Sequence, residues 1–178
     1  DTTLLEIRRT AELRAATGSF SVPVYYGYDK DTGILSKIVP DVIDKDSGVA
    51  IYQGSVDALI DLKALEEKNI KADKAAGTLT ITVPPPTLTS PKIDLAKSRI
   101  VAQQRGIGTR VNDFFASAPL EQRQALDQAA VQALQQAAAE SDLQQTARDN
   151  GRNFLTALGR QLGFPTVTVI YADEPGAQ

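Results

Sequence analysis

The sequence predicts an α+β fold: one domain over residues 1–178, with a mostly antiparallel, curved sheet, a C-terminal helical hairpin packed on one face, and an N-terminal helix. Three observations lead there. Leu143, Ala147, Gly151, Phe154, Leu158 and Leu162 recur at three- and four-residue spacing, so residues 142–162 form a helix with one apolar stripe. Gly163 and Pro165 end that helix, and the β-branched run Thr166-Val-Thr-Val-Ile-Tyr171 follows as a strand folded back under the stripe. A second helical pattern lies directly upstream, and the Glu140-Ser-Asp142 break makes the pair a hairpin.

Taken in order, Thr2 or Thr3 caps a first helix, Thr3 with Glu6 having the form of a capping box, and Gly18 is its natural stop. Leu4, Ile7 and Ala11 line one side of it, with Arg8, Arg9, Glu12 and Arg14 around the rest. That charged side is either a solvated face or a stalk near lipid headgroups. Phe20, Val22, Val24, Tyr26 and Tyr28 alternate without a miss, so residues 19–28 are a half-buried strand. Pro23, on the opposite parity, favours an edge or a bulge. Residues 29–48 read as a long loop or ragged hairpin, and residues 49–52 resume strand character.

Gly54-Ser-Val-Asp-Ala-Leu-Ile-Asp-Leu62 is the next strand, with Val56, Ala58, Ile60 and Leu62 on one face and Asp57, Leu59 and Asp61 on the other. A helical turn over residues 63–68 and a short strand about Ile70 and Ala72 lead to the alternating run 78–83, with Leu79, Ile81 and Val83 inward. Pro84-Pro-Pro86 makes a stiff exit, and residues 98–104 form a further strand. Gly106-Ile-Gly108 then turns into a short helix over residues 109–116. Ser117 and Pro119 open the helix that runs to about Ala139. Its stripe of Leu126, Ala130, Ala133, Leu134 and Ala137 is small, which suits close packing on the neighbouring helix, residues 142–162. Ser141 with Gln144 has the form of a capping box for that neighbour.

Composition narrows the chemistry. The 178 residues are 42% hydrophobic and 23% charged, ordinary globular usage. A net charge of −3 argues against a dedicated nucleic-acid binder, which needs clustered cations. There is no Cys for thiolate chemistry or disulfides, and no His, the commonest general base and transition-metal ligand. Met is missing too, even at position 1, so the chain is expected to begin inside a longer product or after processing. No run approaches the roughly 18 apolar residues of a membrane span, and the chain as it stands is expected to be soluble.

The order of several motifs resembles a known family. These are Pro40-Asp-Val-Ile, the strand 54–62, Thr80-Ile-Thr-Val-Pro84, Arg105-Gly106, Asn112-Asp-Phe114, residues 138–141, and residues 158–170 with Leu162-Gly-Phe-Pro-Thr-Val-Thr-Val169. Together they are similar to the bacterial domain of unknown function 4230, over nearly the whole chain. That resemblance implies a domain held outside the cytoplasmic membrane by one N-terminal transmembrane helix. It implies no reaction and no catalytic residue.

Two loops, Asp29-Lys-Asp31-Thr-Gly33 and Asp44-Lys-Asp46-Ser-Gly48, space carboxylates before a Gly as calcium loops do. The third ligand and the closing bidentate Glu are missing, and Asx-rich turns give the same letters. Calcium at Asp29, Asp31, Asp44 and Asp46 is therefore the alternative to plain turns, and no other cofactor is expected. Arg105-Gly-Ile-Gly-Thr-Arg110 joins a strand to a helix start, so Arg105, Gly106, Gly108 and Arg110 are a candidate anion site, with a plain glycine turn as the alternative. Asp57 and Asp61 lie about 13 Å apart along one strand face, too far for paired glycosidase carboxylates, and are expected at the surface or paired with Arg or Lys. Without His or Cys, a Ser-Lys pair from Ser90, Lys92, Lys97 and Ser98 is the remaining nucleophilic arrangement.

The functional expectation is a non-catalytic cell-envelope module. Its partner would be a protein, lipid or envelope component, or a second copy of itself. The alternative is an envelope hydrolase using carboxylates or a Ser-Lys pair. A deep pocket with convergent polar groups would favour the enzyme, and a shallow groove the binder. The loops 29–48 and 105–110 are the expected home of any site.

Overall fold

The structure is a computed structural model that describes residues 2–28, 35–38, 47–101, 109–110 and 120–175. In chain order its elements are α1 (Thr2–Arg9), β1 (Glu12–Tyr28), β2 (Leu35–Ile38), β3 (Ser47–Asp61), a 3-10 turn (Glu67–Asn69), β4 (Ile70–Asp73), β5 (Thr78–Val83), β6 (Thr87–Leu88), β7 (Lys92–Ile93), β8 (Arg99–Val101), β9 (Thr109–Arg110), α2 (Leu120–Glu140), α3 (Leu143–Gln161) and β10 (Thr166–Tyr171). Helix and strand are mixed and most strand pairs are antiparallel, so the fold is α+β with an N-terminal helix and two C-terminal ones. The residues group into two compact units: Asp1–Thr17 with Asp57–Thr89 and Asp142–Gln178, and Gly18–Val56 with Ser90–Ser141. The chain of β1 and of β3 contributes to both.

In the first unit, β5 is the middle strand between β10, which pairs parallel to it, and β4, which pairs antiparallel. Leu79, Ile81 and Val83 point inward as their alternation requires. The buried line of α3 is Leu143, Ala147, Gly151, Leu155 and Gly159. The expected stripe departs from it in the second half, where Phe154 stays 38% exposed and Leu158 and Leu162 are half-buried. Small residues set this line. A Cβ on Gly151 would stand 2.3 Å from Ile60 Cδ1 and 2.6 Å from the Tyr171 hydroxyl oxygen, and one on Gly159 would stand 2.8 Å from Val167 Cγ2.

The end of α3 follows from Gly163, whose φ of 94° is open to glycine. The Phe164 amide donates to the Gly159 carbonyl and the Gly163 amide to that of Arg160, the paired bonds of a Schellman motif. Its start differs from expectation. Asp142 occupies the N-cap without a side-chain bond, while the Ser141 hydroxyl donates backward to Ala138 and so closes α2.

The first helix is also shorter than its periodicity indicated. Ala11 takes a φ of 59°, which no right-handed helix tolerates, and β1 begins at Glu12 and runs through Gly18. The Leu62 amide holds that corner by donating to the Ala11 carbonyl at 2.8 Å. Leu13 and Ala15 turn inward at odd positions, but Phe20, Val22, Val24 and Tyr26 do so at even ones. The slip in parity hid the strand.

In the second unit the strand order is β2-β1-β3-β8-β9, with β7 also paired to β3. Val22, Val24, Tyr26, Ala50, Tyr52 and Ile100 form a core with Leu126, Ala130 and Leu134 of α2. The alanine stripe thus lies on strands, where the sequence pointed to a helix as partner. Close packing is still its purpose: a Cβ on Gly54 would stand 2.7 Å from Leu134 Cδ1 and 2.8 Å from the Lys92 carbonyl oxygen. Gly54 therefore sits inside one continuous β3 and does not divide it. Thr109 and Arg110 pair antiparallel with Ile100 and Arg99, so a strand stands where the helix over residues 109–116 was expected to start.

Candidate functional site

Strand alternation builds a polar face in the second unit. Ser19 and Ser21 flank Phe20 on β1, Gln53 and Ser55 flank Gly54 on β3, and Lys92 and Asp94 flank Ile93 at β7. Since Phe20 and Ile93 pack against the core, their neighbours turn the other way. The register sets Ser55 opposite Lys92 and Gly54 opposite Ile93. Apart from Ile93, these residues and Lys97 line an open cleft of about 410 Å³. That size is within the about 300–1,000 Å³ usual for small-molecule sites.

A tight turn fixes the cleft's charged end. The Asp94 amide donates to the Gln53 carbonyl at 2.7 Å, and the Asp94 carbonyl accepts from the Ser98 amide at 3.0 Å and from the Ser98 hydroxyl at 2.7 Å. The Ser98 oxygen in turn accepts from the Gln53 amide at 3.0 Å. Lys97 Nζ lies 3.2 Å from Asp94 Oδ2, and this bond holds the Asp94 carboxyl below the usual carboxylate range. The cleft therefore offers hydroxyls, an amide, two ammonium groups and one ionised carboxylate. Such groups are able to form hydrogen bonds with a polar ligand.

Other polar clusters serve the fold. Asp57, only 7% exposed, accepts from Thr17 Oγ1 at 2.7 Å and pairs with Arg14 Nε at 3.3 Å, as pairing with a cation required. Asp61 is exposed and accepts from the Lys63 amide. Arg148 and Arg152 stack over the Tyr171 ring, at 4.8 and 5.3 Å from its centre, while Asp173 and Glu174 bind the two guanidinium groups. Burial pushes the Tyr171 hydroxyl up to about 12. Burial also raises Tyr52, which donates to Asp127 at 3.4 Å.

The structure brings two of the sequence's Ser-Lys candidates, Lys92 and Lys97, into the cleft. Ser98 is 1% exposed with its hydroxyl bonded in both directions, and Ser90 is not among the lining residues. Asp29, Asp31, Asp44 and Asp46 lie outside the described residues, as do Arg105, Gly106 and Gly108. Arg110 closes β9, so residues 109–110 are strand where the sequence placed the start of a helix. Ser19, Ser21, Gln53, Ser55 and Asp94 escaped notice because polar residues at outward strand positions look like any solvent face. The one available signal was their coincidence on neighbouring strands.

No curated protein and no solved structure matches the chain. A family model described as a protein of unknown function (DUF4230) matches residues 6–169. With that match over most of its length, and with the order of motifs from Pro40 to Val169, the chain belongs to the DUF4230 family.

Proposed function

We propose that this chain is the extracytoplasmic part of a membrane-anchored envelope protein, and that it binds an envelope component or partner through the β1–β3–β7 face without catalysing its conversion. The cleft carries this reading. It is open, its groups form hydrogen bonds and ion pairs, and its carboxylate is already engaged by Lys97. The chain's lack of His and Cys agrees with binding over proton or acyl transfer.

Serines beside Lys92 and Lys97 favour one second reading, an envelope hydrolase with a Ser-Lys pair. Against it, Lys97 is bonded to Asp94. A photo-crosslinking side chain at Ser21 of the full-length protein, activated in native membranes, tests the proposal against a control position at exposed Asn153 on α3. A discrete adduct specific to position 21 is expected, and one at twice the protein's own mass would mean self-assembly. No adduct there, or the same adducts from both positions, would contradict the proposal.

A further inference from the structure

We propose that the outer edge of β4 is a self-association surface, pairing antiparallel with the same edge of a second copy about a two-fold axis through Ala72. The proposal goes beyond the binding role given to the β1–β3–β7 face and does not depend on it. Ladder geometry shows what this edge offers. The Thr166 and Ala172 amides donate to the Gly77 and Val83 carbonyls, so odd-numbered residues of β5 direct their backbone groups to β10. Even-numbered ones face β4. Thr78 and Thr80 therefore bond Asp73 and Lys71, while Ile70 and Ala72 turn their backbone groups outward. The Glu67 carbonyl takes the Ile70 amide. The Ala72 amide and carbonyl have no partner among the described residues, and Lys71, Ala72 and Asp73 are all exposed.

The two edges of this sheet are thus treated differently. On β10, Arg152 and Glu174 occupy outward backbone groups. Among the described residues no side chain does so on β4.

Side chains select the occupant. A lone lysine on an edge repels most strands. Here Lys71 and Asp73 share one face, on either side of Ala72. Antiparallel pairing centred on Ala72 sets each Lys71 opposite the partner's Asp73. The two Ala72 residues then exchange both backbone bonds, so the Lys71 and Asp73 positions form non-hydrogen-bonded pairs, where side chains lie closest. Symmetry supplies two such ion pairs, and the pattern is self-complementary as a two-fold interface requires. Among the described residues Lys71 has no ion-pair partner within its own chain. Asp73 is oriented by the Ala76 amide, which donates to its Oδ1 at 2.9 Å. Glu66, Glu67 and Asp73 offset Lys68, Lys71 and Lys74 across residues 66–74, so two copies meet here without net repulsion. The strand has only 4 residues, so the contact is weak and forms at high local concentration.

The test follows hydrogen exchange and sedimentation of the chain from about 10 μM to about 1 mM, the range of a weak contact. Protection of the Ala72 amide should rise with concentration in step with dimer formation. The Lys71 and Asp73 amides, already bonded to β5, should not change. Lys71→Asp and Asp73→Lys each turn both ion pairs into repulsions and should weaken association about tenfold. Mixing these two variants restores complementarity and should recover a mixed dimer. Ala72→Pro removes the outward amide, leaves the bonds to β5, and should abolish the dimer. Amide spectra verify that each variant folds. A chain that stays monomeric to about 1 mM, or a dimer unaffected by Ala72→Pro and by both charge reversals, would overturn the proposal. So would concentration-independent protection of Ala72, which would mean that another segment of the same chain covers the edge. The adduct at position 21 tests the other face and is unaffected by either result.

Discussion

Gly151 is where a single hydrogen decides how close a helix can lie. Replacing it with alanine gains about 1 kcal/mol of helix propensity but forces a methyl against Ile60 Cδ1 and the Tyr171 hydroxyl. That hydroxyl donates to the Arg148 carbonyl at 2.8 Å and cannot move without losing the bond. With overpacking at about 1–3 kcal/mol, Gly151→Ala should cost a net of up to about 2 kcal/mol in denaturant unfolding. Ile60→Val removes the nearest atom, so the double variant should be more stable than the two single losses summed. Strict additivity would mean that the close approach is not what glycine serves.

Asp127 sets up a residue effect of opposite kind. Burial raises its carboxyl above the ordinary 3.8, outweighing the Tyr52 hydroxyl and Arg123, which lower it. An acid whose folded pKa is raised is penalised in its charged form, so the penalty stands above the folded pKa and fades as pH falls toward the unfolded one. Asp127→Asn should therefore raise Tm at pH 7, and the gain should vanish as the pH nears about 4. A lower Tm at pH 7 would mean that the carboxylate's bonds dominate its burial.

At the scale of elements, β10 shows how an edge is closed. Thr166 and Ala172 donate to Gly77 and Val83, so even-numbered amides face β5 and odd-numbered ones face away. On that outer side the Tyr171 amide donates to Glu174 at 3.1 Å, and the Val169 carbonyl accepts from Arg152 at 3.4 Å. Two side chains, themselves joined at 2.9 Å, stand in for the next strand and blunt the edge. Glu174→Ala should speed hydrogen exchange of the Tyr171 amide about tenfold and leave that of Ala172 unchanged. Equal acceleration of both would point to general loosening instead.

The same scale shows what was legible. β5 and β10 could be read outright because alternation, β-branching and the Gly163-Phe-Pro corner agree. α1 could not, since Leu4, Ile7 and Ala11 fit a helical face while the left-handed turn at Ala11 is imposed by contacts with Leu62 distant in sequence. β3 looked divided at Gly54 because a strand glycine reads as a break, whereas its reason is the Leu134 side chain. The cleft was hidden more deeply still. Its residues come from three segments, and only strand pairing puts Lys92 beside Ser55.

For the whole molecule, charge and composition leave binding to local arrangement. A net charge of −3 gives no general attraction to anions. Among the described residues no helix is long and apolar enough to cross a membrane, so the proposed anchoring rests on the family resemblance. Because this chain contains no cysteine, one introduced at exposed Ser21 reports on the β1–β3–β7 face alone within it. The most direct test is to treat intact cells carrying the full-length Ser21→Cys protein with a membrane-impermeant maleimide. Labelling before lysis is the expected result; labelling only after lysis would contradict an extracytoplasmic binding face.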